Sequence, residues 1–284
     1  MDNPGPDLCQ LVETYIIEHD ISKTTAITCR CAARSFVSWF GHCPSPIEVA
    51  SNINAFLAHH SDKGSRYTTR TYRGHLIRIL KSAADRGLCV LPPLIRPVKA
   101  PEHEPDSFSD DEISLLLKHG DGRQQAAILL VHDSGFRYSD VFKTTWGMVD
   151  EAWCVRIIVS KSGRREVRQL SAAAVAACAS LQVTPGPKEK LLPWPYKSRT
   201  PWDDGWRALG KRAGVDTLDR GLQAIRRRAS SLVAIEHGDV AAAKFLGHSP
   251  HSGTSVFHRF YRVGKICDKP PPSPPPMILP EQTP

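Results

Sequence analysis

No stretch of the 284 residues approaches the roughly 20 consecutive apolar residues needed to cross a bilayer, so no membrane-spanning helix is expected. Met1 to Pro6 lack the basic and apolar blocks of a secretory leader, which makes a cytoplasmic protein the expectation. Cysteine stands at eight positions (9, 29, 31, 43, 89, 154, 178 and 267), yet no C-x-x-C pair occurs. Zinc sites usually take sulfurs a few residues apart, so no metal site is expected, and the thiols read as reduced and mostly buried. There is no Walker-type phosphate loop, no acidic cluster fit to hold a catalytic metal, and no internal repeat. No cofactor is therefore expected.

Basic residues outnumber acidic ones, 37 Lys and Arg against 29 Asp and Glu, for a formal charge of +8. Spread over the whole chain, that excess is weak support for an anionic partner. A hydrophobic share of 41% and a charged share of 23% are those of an ordinary folded chain and argue against general disorder.

The first part of the sequence reads as helices. Leu8, Leu11, Val12, Tyr15 and Ile16 form one stripe at helical spacing, and Ile27, Cys31, Arg34, Phe36, Trp39 and Phe40 form a second, less regular one. A short helix over 46–59 starts with proline in its first turn. A longer one over 66–86 has Tyr72, Leu76, Ile79, Leu80 and Ala83 as its apolar side. The cations Arg66, Arg70, Arg73, Arg78 and Lys81 on this helix suit either solvent or phosphate. Five prolines between Leu91 and Pro105 mark an extended linker, and Ser109 to Glu112 restart a helix with a capping box. Beyond it the sequence predicts a helix at 124–132 and a β-hairpin from 153–159 and 166–170 with a basic turn. Helices follow at 172–181, 202–213, 222–235 and 240–246. The last 15 residues hold eight prolines, a polyproline-like or disordered tail.

Four segments of the second half carry the chemistry. They are Gly135-Phe136-Arg137-Tyr138-Ser139-Asp140, the hairpin turn with Lys161 and Arg164, Gln223-Ala224-Ile225-Arg226-Arg227-Arg228, and Leu246-Gly247-His248-Ser249, with Tyr261 beyond. Each alone has a plainer explanation. Arg137 and Asp140 fit a helix-surface ion pair worth about a few tenths of a kcal/mol. Lys161 suits a solvated turn, and His248 a satisfied loop histidine.

Taken in order, the segments resemble the tyrosine recombinases, or phage integrases, including the Xer-like site-specific recombinases, over nearly the whole chain. The first catalytic arginine of that family matches Arg137, the hairpin lysine matches Lys161, and the second arginine box matches Gln223-x-x-Arg226-Arg227. The L-G-H-S box is present unchanged at Leu246 to Ser249. Two positions depart from the pattern. Gln223 stands where the family has histidine; an amide donates to phosphate but carries no charge. Nine residues after His248, where the nucleophilic tyrosine commonly falls, stands Phe257; Tyr261 comes thirteen after. Tyr261 reads either as the nucleophile, displaced by an insertion around 251–253, or as a core tyrosine in a chain without one.

The resemblance implies a mainly α fold with a small β-sheet. A helical, SAM-like core-binding domain would cover 1–90, a Pro-rich linker 91–105, an α/β catalytic domain 106–268 and a Pro-rich tail 269–284. It implies duplex DNA with paired recombination sites as partner, a homotetramer on DNA from free monomers or dimers, and no membrane. A C-terminal element would be exchanged between neighbours, a role open to Met277-Ile278-Leu279 in the tail. Tyr261 would attack a phosphodiester and leave a 3′-phosphotyrosyl link, Arg137 and Arg226 would hold the phosphate oxygens, and Asp140 would support Arg137. His248 would act as base or phosphate donor, and Lys161 would protonate the departing 5′ oxygen. Two guanidiniums suit a five-coordinate phosphorus because each is a charged planar fork of donors. Storing the bond as phosphotyrosine removes any need for ATP. Arg66, Arg70, Arg73, Arg78, Lys81, Arg164 and Arg227 would contact the DNA, largely its backbone. A recombinase-derived DNA-binding protein without cleavage, and a nicking-closing topoisomerase, remain open beside this reading.

Overall fold

The computed structural model describes residues 5–99, 106–159, 163–181, 186–193 and 200–248. The chain divides into two units, Met1–His103 and Glu104–Pro284. The described residues are mainly helical, with one small antiparallel sheet.

Asp7 and Gln10 form a capping box that opens α1 (Leu8–Glu18), which is followed by α2 (Lys23–Phe40), α3 (Pro46–Lys63) and α4 (Arg66–Asp85). A second capping box, Ser45 with Glu48, starts α3, and Pro46 sits in its first turn as expected. Leu8, Leu11, Val12, Phe36, Ile53, Phe56, Leu76, Ile79 and Leu80 form the core of this unit.

The stripe expected on α2 is corrected. Its buried residues are Ala26, Cys29, Ala32, Ala33 and Phe36, whereas Ile27 is 57% exposed. Small side chains on this face suit close packing against α1 and α4, and large apolar residues alone pointed to the wrong side.

The proline-rich stretch does not run free after α4. Leu91, Ile95 and Val98 pack on the first unit's core. Asn54 brackets the strap, donating to the Leu94 carbonyl and accepting from the Arg96 amide, both at 2.9 Å. Arg73 donates from Nε to the Arg96 carbonyl and from Nη2 to that of Ile95, each at 2.8 Å. Without an N–H at its prolines the strap cannot join a ladder, so side chains hold its backbone.

The cysteines also differ from expectation. Of those described, Cys29 and Cys178 are buried, Cys9 is exposed and the others are partly exposed. Burial pushes the Cys178 thiol up to about 12. The Sγ atoms of Cys9 and Cys43 lie 3.1 Å apart beside the Asp7 carboxylate, a grouping that no local spacing announces.

In the second unit Ser109 and Glu112 cap α5 (Asp110–His119). Then come α6 (Gly122–Ser134), the single turn α7 (Tyr138–Val141) and a 3-10 turn (Trp146–Met148). Strands β1 (Cys154–Ile158) and β2 (Arg165–Gln169) pair antiparallel in the register Cys154↔Gln169 to Ile158↔Arg165. Helices α8 (Ala172–Ala179), α9 (Thr200–Ala213) and α10 (Leu222–Phe245) follow. The run Ala126 to Val131 is buried throughout, which makes α6 the central helix, packed by α8 and α10. Gly238, at φ +79°, interrupts α10, so its two parts correspond to the two helices expected at 222–235 and 240–246. Arg220, just before α10, forks onto Glu112 at 2.8 and 3.1 Å and lies 4.6 Å from the Phe108 ring centroid. That clamp sets the start of α10 against α5.

Candidate active site

Helix α6 stops at Gly135, whose φ of +62° suits glycine and closes the last turn by donating to the Val131 carbonyl at 2.9 Å. The Ser134 hydroxyl donates to the Leu130 carbonyl and accepts from the Phe136 amide, turning the chain sharply. Phe136 is buried, and Arg137 follows in extended backbone as the residue before α7. Asp140 is only 4% exposed. Asp140 therefore stands in the interior rather than on a helix surface.

Arg226 is the largest fully buried side chain among the described residues, 1% exposed, and its Nη2 donates to the Leu246 carbonyl at 2.7 Å. The end of α10 is a Schellman motif: Gly247 donates to the Lys244 carbonyl and His248 to that of Ala243, both at 2.9 Å, with Gly247 at φ +66°. Thus Leu246-Gly247-His248 has a local structural logic. Leucine seals the core, glycine takes the left-handed position, and histidine emerges half-buried.

The hairpin supplies the third side. Residues 166, 168 and 170 share one face of the strand, and Leu170 on that face is buried. Arg168 pairs with Glu166 at 2.9 Å and donates to the Phe245 and Lys244 carbonyls at 2.9 Å.

These elements line a small, half-open recess whose cavity volume is about 10 Å³. Arg137, Asp140, Val159, Glu166, Arg168 and Arg226 wall it, together with Gly135, Phe136 and the end of α10 from Phe245 to Gly247. Three guanidiniums face two carboxylates there, so its formal balance is positive. Charged planar forks on a small recess suit a phosphate or another oxyanion.

The structure therefore brings Arg137, Asp140 and Arg226 together, with His248 next to Gly247 at the edge. Gln223 lies in the first turn of α10, half-buried, and does not wall the recess. Lys161, Phe257, Tyr261 and the tail segment Met277 to Leu279 lie outside the described residues. Glu166 and Arg168 were missed by the sequence reading. Their signal was two charges on the inward face of a strand, alternating toward Leu170.

Of the cations expected on DNA, Arg66, Arg70, Arg78 and Lys81 are exposed on α4, away from its buried face. Arg73, in that expected set, has two donors engaged by the strap. Arg227 donates to the Asp106 carbonyl at 2.9 Å, and exposed Arg164 approaches the His248 carbonyl at 3.4 Å. Arg228 forks onto Asp110, whose carboxyl is held below its usual range by that bond.

In sequence, no family model matches the chain, and no curated protein does either. In structure it is similar to a dimer of lambda integrase residues 75–356 bound to a COC′ core site. That pair is 17% identical over 93% of this chain and 100% of the other, with a TM-score of 0.73. The Tn1549 transposon integrase (residues 82–397), in complex with circular intermediate DNA, is 15% identical over 91% and 96%, with a TM-score of 0.65. XerH site-specific recombinase in a post-cleavage complex with palindromic difH is 12% identical over 90% and 81%, with a TM-score of 0.66. The chain has the tyrosine-recombinase fold.

Proposed function

We propose that the protein is a site-specific tyrosine recombinase that cleaves and rejoins duplex DNA through a 3′-phosphotyrosyl intermediate. The observation that carries this is the convergence of Arg137, Asp140 and Arg226 on one recess at the Leu246-Gly247 turn, in this fold. Arg137 and Arg226 neutralise the non-bridging oxygens as phosphorus becomes five-coordinate, and Asp140 supports Arg137. His248 exchanges a proton or donates to the phosphate, Gln223 reaches it from outside the recess as an uncharged amide donor, and Lys161 protonates the 5′ leaving oxygen. Tyr261 is the nucleophile, and the released 5′ hydroxyl of a partner duplex reverses the attack. The energy of the broken bond stays in the phosphotyrosine, so neither ATP nor metal takes part. Arg66, Arg70, Arg78, Lys81 and Arg164 hold duplex backbone. Paired sites are brought together by a tetramer assembled from monomers or dimers. The substrate places it with cellular DNA in the cytoplasm, and the transposon integrase among its structural neighbours favours a mobile element.

The test is a nicked suicide duplex carrying a site recovered by binding selection from random DNA. A covalent adduct is expected, persisting in chelator and absent from Tyr261→Phe. An adduct retained in that variant moves the nucleophile elsewhere. Tight binding without any adduct favours the second reading, a non-cleaving DNA-binding protein, which Gln223 and Phe257 support.

A further inference from the structure

We propose that Arg168 is a positioning residue of the recess, fixing the turn that carries His248 onto the hairpin. The break at Gly238 leaves the last part of α10 as the seven residues 239–245. A helix that short does not hold its own orientation, so its end must be fixed by other elements. Of its last carbonyls, that of Lys244 already accepts from Gly247 in the Schellman motif, and that of Phe245 needs a partner from outside the helix. Arg168 reaches the Phe245 carbonyl from Nε and Nη2, at 3.2 and 2.9 Å, and the Lys244 carbonyl from Nη2, at 2.9 Å. Its guanidinium also lies 6.0 Å from the Phe245 ring centroid. Glu166 braces the arrangement from two sides. Its Oε2 pairs with Arg168 Nη1 at 2.9 Å, and its Oε1 would stand 3.3 Å from a Cβ on Gly247.

The hairpin thus meets the turn through Arg168 on the Lys244 and Phe245 carbonyls and, just before β2, through Arg164 near the His248 carbonyl at 3.4 Å, with Glu166 lying beside Gly247. Lys161 stands three residues before Arg164 in the chain. A displacement of the hairpin therefore carries the histidine with it. The role given to His248 rests on the recombinase reading; its placement by Arg168 does not.

The experiment compares Arg168→Met, Arg168→Lys and Glu166→Gln in the full-length protein by amide hydrogen exchange. Arg168→Met should speed exchange at Gly247 and His248 by about tenfold or more, as expected for lost charge-assisted hydrogen bonds, while Ile225 and Ala229 stay unchanged. Lysine should restore part of the protection, and Glu166→Gln should give a smaller rise at the same amides. Unchanged turn amides, or protection lost equally at Ile225 and Ala229, would overturn the proposal. If Arg168→Met does not fold, Arg168→Lys and Glu166→Gln decide it on the same criterion.

A second readout is adduct formation on the suicide duplex against pH. Arg168→Met and His248→Ala should share one profile shape, and the double variant should be no slower than His248→Ala alone. Additive losses with an unchanged Arg168→Met profile would reduce Arg168 to a merely structural part. Were the wild-type protein to form no adduct, the recombinase reading would fall, and amide exchange would still decide the placement.

Discussion

The ring of Phe245 occupies the space in front of Gly135: a Cβ built there would stand 2.6 Å from Phe245 Cε1. The segment that delivers Arg137 and the end of α10 that delivers His248 thus touch through a glycine and an aromatic edge. Gly135→Ala meets both that ring and a left-handed φ. The expected loss is about 1–2 kcal/mol for the backbone, with overpacking adding about 1–3 kcal/mol. Urea unfolding measures it, and Phe245→Leu should return part of the overpacking share.

Arg226 and Arg137 should separate stability from chemistry. Arg226→Lys loses the fork that serves Leu246, costing about 1–3 kcal/mol, and slows adduct formation by about 10²-fold or more. Arg137→Lys, at a half-buried position, should slow it comparably yet leave stability within about 0.5 kcal/mol. Chemical denaturation beside single-turnover cleavage checks both.

Neighbouring cations on α4 should behave differently. Arg66→Ala or Arg70→Ala should each lower the salt slope of DNA binding by about 1 and leave the fold untouched. Arg73→Ala removes the bonds that hold residues 95 and 96, so limited proteolysis should cut within 91–99 faster.

His237 is buried, and neither ring nitrogen has a hydrogen-bond partner among the described residues. Burial lowers its pKa from the ordinary 6.5. Below that value the unfolded chain takes up a proton that the folded one resists, so stability falls as pH drops through about 6.5. Thermal unfolding at pH 7.5 and 5.5 should show that loss, and His237→Met should reduce it.

Cys9 and Cys43 should cross-link when diamide, as two-electron oxidant, removes two electrons and two protons from the thiols. Peptide mapping should recover the linked pair, and Cys9→Ser should abolish it. Burial and the Cys9 contact raise Cys43 to about 11, which keeps its thiol largely protonated near neutral pH.

Local chemistry made much of this structure readable. An apolar stripe announced α1, a first-turn proline α3 and a capping box α5, and the glycines at 135 and 247 sit where two helices end in the left-handed region. The family resemblance that Arg137, Arg226 and Leu246-Gly247-His248 carry implies a shared site, and Arg137, Arg226, Leu246 and Gly247 do wall one recess. What stayed hidden depends on contacts distant in sequence. The alanine face of α2 is set by what packs on it, the strap by Asn54 some 40 residues earlier, and the thiol pair by residues 34 apart. Arg168 escaped for the same reason, since only register and packing show which carbonyls it meets.

Those carbonyls have an electrostatic consequence. An uncovered helix C-terminus presents roughly half a negative elementary charge, and the end of α10 lines the recess. With Lys244 and Phe245 covered by Arg168 and Leu246 by Arg226, that field is cancelled at its source. An anion entering the recess meets guanidinium edges rather than a repelling dipole, so a helix pointing the wrong way is made tolerable beside negative charge.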